Sequence, residues 1–161
     1  MRDAVAPPAT GPSRNALGAT RASDPEQGGD VVVMHVGGDI YAVRAGTVRE
    51  VVRAPEVTPL PASSPIFLGV CNVRGDIVPV LDTFALLGLG AGPTFTHAVI
   101  VRASEGEVGL STTGVPEFTQ LGDRVGDGDV AGRLGAYRVS AGIATLLDLD
   151  ALVTRGRLDG A

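Results

Sequence analysis

Residues 69–82, GVCNVRGDIVPVLD, constrain the fold more than any other part of the chain. Val70, Cys71 and Val73 form one apolar run, and Ile77, Val78, Val80 and Leu81 form a second; an Asn-x-Arg-Gly corner separates them. Two short β-rich runs about a tight polar corner specify a hairpin or a pair of barrel strands. Pro79 cannot donate to a ladder, which puts an edge or a bulge at that point. The corner carries one fixed positive charge, Arg74, in an otherwise apolar block. No nucleophile–base pair and no metal-ligand spacing accompanies it, so the block reads as a surface for contact more than for chemistry.

The same grammar continues on both sides. VVVMHVG (31–37) and IYAVR (40–44), around Gly38-Asp39, read as a hairpin whose first run is apolar enough to need cover on both faces. In 45–53 (AGTVREVVR), Val48, Val51 and Val52 fall at helix-like spacing, which predicts one short helical turn despite the β-branching. Pro55, Pro59, Pro61 and Pro65 hold an extended loop. Asp82 is placed to cap a short helix, DTFALLGL, that ends near Gly88. Strands are expected at 97–103, 108–113, 116–121, 135–139 and 142–148, with a Gly/Asp loop over 122–132 and a short closing helix over 147–152. No repeat of fixed period stands out, although the strand–strand–turn grammar occurs twice. Many short strands and little helix imply an all-β barrel or a pair of small barrels.

At 161 residues the chain suits one domain, or two small lobes sharing a core. The folded part is expected over 31–155, with a fraying end at 156–161. Residues 1–30 are rich in Ala, Pro, Gly, Ser and Thr and hold too few aliphatic residues for a core, so they read as a disordered tail. The tail has no signal-like apolar run, and nothing in the chain approaches a membrane span. All thirteen basic residues are arginine, yet the net charge is −5, which argues against nucleic acid or an anionic membrane as the main partner. The single cysteine, Cys71, excludes an internal disulfide framework and reads as a small buried hydrophobe, which points to a cytoplasmic protein.

Other chemical signals are weaker than their structural alternatives. Asp123, Asp127 and Asp129 lack the alternating ligands and closing Glu of a calcium loop. Gly88, Gly90 and Gly92 run into Pro93 and open no helix, so they are not a nucleotide fingerprint. His35 and His97 sit in separate apolar strands, and no nucleophile elbow surrounds Ser111, Thr112 and Thr113. No cofactor and no metal is implied, and no enzyme. Arg74 carries more weight, as a structural ion pair, as a partner-facing fork of five donors, or as both, with a carboxylate such as Glu50 orienting it.

GVCNVRGDIVPVLD resembles the signature of the CheW-like domain family: Gly-Val-x-Asn-(Leu/Val)-Arg-Gly, two apolar positions on each side of Pro, and a closing Asp. Tyr41-Ala42-Val43, Val48-Arg49-Glu50-Val51-Val52, Val57-Thr58-Pro59-Leu60-Pro61, Val108-Gly109-Leu110 and Leu146-Leu147-Asp148-Leu149 resemble further family segments in order, so the likeness covers roughly residues 31 to 155. The resemblance implies two small five-stranded, SH3-like β-barrels around a shared core. It implies a non-enzymatic, cytoplasmic adapter that joins chemoreceptor tips to the regulatory domain of a CheA-type histidine kinase, with the receptor's helical hairpin in the groove between the barrels. It neither inserts into the membrane nor binds nucleic acid on this reading. By position, Glu50 and Arg74 match the family's acidic and arginine positions near that groove. Asn72 and Gly75 match the corner, and Val48, Val51 and Val70 are the candidates for apolar contact. Thr113 stands where the family usually carries Asp, and Asp82-Thr83 replaces Asp-Leu, so a divergent pilus or gliding-motility pathway is the alternative. A barrel that binds a small ligand or nucleic acid ranks below both, given six aromatic residues and an acidic balance.

Overall fold

The computed structural model describes residues 26–61, 64–90, 92–128 and 130–160, with side chains through Arg155. Residues 1–25 of the expected tail therefore lie outside the described residues. The first apolar run becomes β1 (Asp30–Val36), turns back through two glycines, and pairs antiparallel with β2 (Asp39–Arg44). A 3₁₀ turn over Ala45–Thr47 leads into β3 (Val48–Arg53). The helical turn expected for 45–53 is thus confined to its first three residues. Val48, Val51 and Val52 take the pleated geometry that β-branching favours, in a ladder with β6 (His97–Ala103).

The 69–82 block folds as the expected hairpin, β4 (Phe67–Val73) and β5 (Asp76–Leu81). Asp82 then caps α1 (Thr83–Leu86), its carboxylate accepting from the Phe84 and Ala85 amides, and Gly88 follows the helix at φ 77°. β5 is an interior strand, so of the edge or bulge expected at Pro79 the edge is not realised, while the β4–β5 ladder shifts register close by, between Phe67 and Gly69. Both backbone polar groups of Val70, opposite Pro79, are bonded to Thr58. The Val70–Pro79 pair therefore asks for no ladder hydrogen bond, and the missing proline N–H leaves β4–β5 intact. The chain continues through β6, β7 (Gly106–Thr112), β8 (Glu117–Gln120), β9 (Arg124–Asp127), β10 (Arg133–Val139) and β11 (Gly142–Leu147). β9 lies inside the expected Gly/Asp loop; pairing with β10 makes it a strand, because its own sequence is polar and carries glycine. The last helix, α2 (Leu149–Gly160), runs through the stretch where the chain was expected to fray.

The strands form two sheets, ordered β8-β1-β2-β11-β10-β9 and β3-β6-β7-β5-β4. These are the two expected β-barrel lobes, with six and five strands in place of five each. A repeat links them that the sequence reading did not detect. The hairpin 69–82 and the hairpin 135–148 match position by position, sharing Gly69 with Gly135, Val73 with Val139, Ile77 with Ile143, Leu81 with Leu147 and Asp82 with Asp148. Each ladder shifts register at its first shared glycine (φ 145° and 151°), and each hairpin runs into a helix. The β1–β2 hairpin corresponds likewise to β6–β7. The halves are interleaved: each sheet takes one hairpin from one half and the remaining strands from the other, joined by a parallel pair, β2–β11 or β7–β5.

The interleaving decides the core. Val32, Met34 and Val36 of β1 and Val99 and Val101 of β6 meet in one cluster drawn from both sheets, which Leu86, Leu149 and Leu152 of the helices close. Val31 and Val33 point the other way, into the six-stranded lobe with Tyr137 and Leu146. Ala98 and Ile100 do the same in the five-stranded lobe with Cys71, Val78 and Val80. Both faces of β1 are covered, as its unbroken apolar run requires. Each fully buried valine or leucine stabilises by about 1.5–3 kcal/mol relative to exposure, so the shared layer ties the lobes together.

Candidate functional site

The β4–β5 corner is a two-residue turn closed by the Val73–Asp76 pair. Arg74 and Gly75 both have positive φ, 52° and 93°, the geometry of a type I′ hairpin. Glycine adopts it freely, whereas arginine adopts it against the clash of its Cβ with the backbone. The Asn72 carboxamide oxygen accepts from the Gly75 amide at 2.9 Å and clamps the turn. Asn72 and Gly75 therefore build the corner, and Arg74 is what it displays.

Arg74 Nε donates to Glu50 Oε2 at 3.0 Å, the carboxylate brace expected from the sequence. The Arg74 side chain is 75% exposed against 23% for Glu50. Its two amino groups have no partner among the described residues, so the fork points outward while its stem is held. Arg49, which the sequence reading passed over, sits beneath. Its Nη1 lies 2.6 Å from Glu107 Oε1 and 3.0 Å from Asp76 Oδ2, and its Nε lies 3.7 Å from Glu50 Oε2. Its Nη2 reaches the Val73 carbonyl at 3.5 Å. The hydrogen bond to Glu107, followed by that to Asp76, raises the Arg49 pKa further above its ordinary value, so it stays a cation throughout. Consecutive strand residues normally face opposite ways. Here the β3–β6 register shifts between Val48 and Glu50, and this bulge lets Arg49 and Glu50 serve the same corner.

Of the apolar candidates, Val70 lines a shallow groove of about 380 Å³ beside the corner, with Val52, Pro55, Thr58 and Ile77. Ile77 is 64% exposed there. Gly69 lets the groove wall approach: a Cβ at that position would collide with the Thr58 carbonyl. Val48 and Val51 turn to the shared core and pack against it, apart from Val70.

The remaining chemical signals have structural partners. Ser111 accepts from the Thr83 amide, and the Thr112 and Thr113 hydroxyls donate to the His35 carbonyl, tying β7 to β1. Thr96 contacts the His97 ring, and Asp127 lies 3.6 Å from Arg124. Asp129 lies outside the described residues. Cys71 is a free, buried thiol whose pKa burial pushes up. Among the described residues no cluster of His, Cys, Asp or Glu is arranged to hold a metal ion, and no helix is long and apolar enough to cross a membrane.

A model of the CheW-like domain family matches residues 30–157. The chain is 33% identical over 99 residues to "Chemotaxis protein CheW" of Rhizobium meliloti, covering 60% of this chain and 64% of that protein. It is 35% identical over 103 residues to "Protein FrzA" of Myxococcus xanthus (62% and 59%), and 31% identical over 80 residues to "Protein PilI" of Pseudomonas aeruginosa (50% and 45%). These matches span less than two thirds of each relative's length. The fold resembles that of the scaffolding protein TtCheW from Thermoanaerobacter tengcongensis, with a TM-score of 0.69 at 22% identity, covering 78% of this chain and 92% of that one.

Proposed function

Because the chain belongs to the CheW-like domain family, we propose that it is a non-enzymatic adapter, working in the cytoplasm at receptor arrays. It couples chemoreceptor tips to the regulatory domain of a CheA-type histidine kinase. The observation that carries this reading is the outward Arg74 fork, held from behind by Glu50 on a turn that arginine adopts only under strain. Strain of this kind follows from what the residue presents, since a glycine or asparagine would close the turn more easily. Two uncommitted amino groups suit a carboxylate or a carbonyl pair on a partner. The groove beside them offers Val70 and Ile77 to an apolar helix face. In an array such contacts can each be weak and still hold through multivalency. Residues 31–155 form the adapter domain on this reading, with 1–30 a tail ahead of it.

A second reading keeps the scaffold and changes the pathway to a pilus or gliding-motility system. Thr83 and Thr113 at positions where the family usually differs favour it, as do the matches to proteins other than CheW itself. The test is direct. The purified protein is titrated with the kinase regulatory domain and the receptor tip encoded in the same genome. Binding at roughly tens of micromolar or tighter is expected, and Arg74→Glu should weaken it with the fold intact. If neither partner binds, the adapter reading fails. The genomic setting of the partner that does bind decides between the pathways.

A further inference from the structure

We infer that Arg49 is a positioning residue that keeps Arg74 available to a partner by holding Asp76 and Glu107 away from it. The inference rests on Arg74 being the partner-facing group.

The corner carries three carboxylates, Glu50, Asp76 and Glu107, below or beside one displayed guanidinium. Asp76 closes the turn on the far side of Arg74 and Gly75, and its side chain is 65% exposed. A carboxylate so close to Arg74 is the natural rival of any partner for its fork. Yet Asp76 pairs with Arg49, and Arg74 leans to Glu50 alone. Arg49 can do this because its side chain is 18% exposed and spans the base of the hairpin. One amino group serves both Glu107 and Asp76, and the other reaches the Val73 carbonyl. It thereby grips the residues on both sides of the turn and anchors them to β7 through Glu107. A planar guanidinium reaches the two carboxylates and the Val73 carbonyl from separate nitrogens of one rigid fork, a span that a single ammonium nitrogen does not have.

The bulge in β3 is the backbone device behind this arrangement. In a regular strand either Arg49 or Glu50 would face the corner; with the bulge both do. Glu50 supplies the brace and Arg49 removes the competitors. Without Arg49, Glu107 keeps Arg102 at 3.9 Å, whereas Asp76 loses its cation and has Arg74 two positions away on the same turn. Arg74 would fold down onto Asp76, and its fork would be committed within the chain.

The test uses the full chain and reads the Arg74 side chain directly, by the Nε–H resonance and its exchange with water. In Arg49→Met the Arg74 Nε–H shifts and exchanges about tenfold faster, because it leaves the half-sheltered Glu50 for an exposed carboxylate. The double variant Arg49→Met/Asp76→Asn removes the competitor and returns both shift and exchange towards the original values. A purely structural role for Arg49 would give no rescue from Asp76→Asn. An unchanged Arg74 signal in a folded Arg49→Met protein overturns the inference, and so does a changed signal that the second substitution fails to restore. Should Arg49→Met not fold, Arg49→Gln carries the test. A neutral carboxamide leaves Glu107 and Asp76 without their shared cation, so part of the effect and its rescue by Asp76→Asn are expected, and an unchanged signal overturns the inference. Titration of the same proteins with the kinase regulatory domain and receptor tip separates the two readings. Affinity should fall with Arg49→Met and recover in the double variant. If the side-chain result holds while even the unaltered protein binds neither partner, the adapter reading fails and the positioning of Arg74 stands.

Discussion

Arg74→Asn separates the two roles open to this arginine, because they predict opposite changes in stability. Arg74 sits at φ 52°, a conformation that costs an ordinary L-residue roughly 1–2 kcal/mol and that asparagine tolerates well. Against that gain stands the loss of the Glu50 pair. The Arg74 side chain is 75% exposed, and an exposed ion pair contributes about 0.2–1 kcal/mol. The balance is a stabilisation of about 0–1.8 kcal/mol. For a chain of this size that is a rise in Tm of up to about 7 °C, read by thermal unfolding followed by circular dichroism. Removing a charge-assisted contact to a partner should meanwhile cost about 1.5–3 kcal/mol of binding, tenfold or more in Kd, read by titration with the kinase regulatory domain and the receptor tip. An equally or more stable protein that binds less well marks Arg74 as displayed for a partner. A fall in Tm beyond about 4 °C would show that Arg74 holds the corner, and an unchanged Kd for both partners would take it out of the contact.

Other outcomes follow from single contacts. Asp82→Ala removes the acceptor for the Phe84 and Ala85 amides and for Gly92, and should lower stability in urea by about 1–2 kcal/mol; a loss under about 0.5 would deny the cap its role. Gly69→Ala combines positive φ with a collision against the Thr58 carbonyl and should cost about 2 kcal/mol or more. Gly88→Ala, with open space around it, should cost only about 1 from its backbone, and equal losses would refute the packing argument. Burial raises the Cys71 thiol above its ordinary 9.0. Its contribution to stability is therefore complete below about pH 9 and is lost as pH rises through the folded value, with buried Tyr41 adding the same sign from about pH 10. Unfolding in urea across that range should show a decline that Cys71→Ala reduces, and native protein at about pH 8 should resist alkylation until it unfolds.

The parts of this fold that could be read from the sequence are those whose signals are local. The three hairpins at 31–44, 69–82 and 135–148 announce themselves through apolar runs around small or polar corners, and Asp82 caps the helix that its position promises. The Arg74–Glu50 brace was accessible because a lone cation in an apolar block needs a carboxylate. What stayed hidden depends on pairing across the chain. β9 is a strand only because β10 offers it an edge, and β3 is a strand because β6 overrides a helix-like spacing. Val48 and Val51 pack, partly buried, against a core shared by two sheets, a placement that no local pattern marks. Arg49 gains its meaning from Glu107, 58 positions away, and from a bulge that no local pattern marks.

The interleaved repeat supplies an internal control for the corner. In the six-stranded lobe the matching hairpin closes through Ser140 and Ala141, between Val139 and Gly142. Neither Ser140 nor Ala141 has positive φ, and neither is charged. Glu117 occupies on β8 the place that Glu50 occupies on β3, as their partners Val33 and Ile100 show, yet no arginine stands across from it. The same hairpin, built on the same shared glycine and leading into the same Asp-initiated helix, therefore closes without an arginine, without a left-handed residue and without an asparagine clamp. The topology does not demand any of the three. The five-stranded lobe carries them all, together with the bulge that places Arg49 and Glu50 below. A feature present in one copy of a repeat and absent from the other, and strained where it is present, is there for what it displays. Moving Ser-Ala into the Arg74-Gly75 position should on this argument leave the hairpin closed and the protein folded, while the surface it offers a partner is lost.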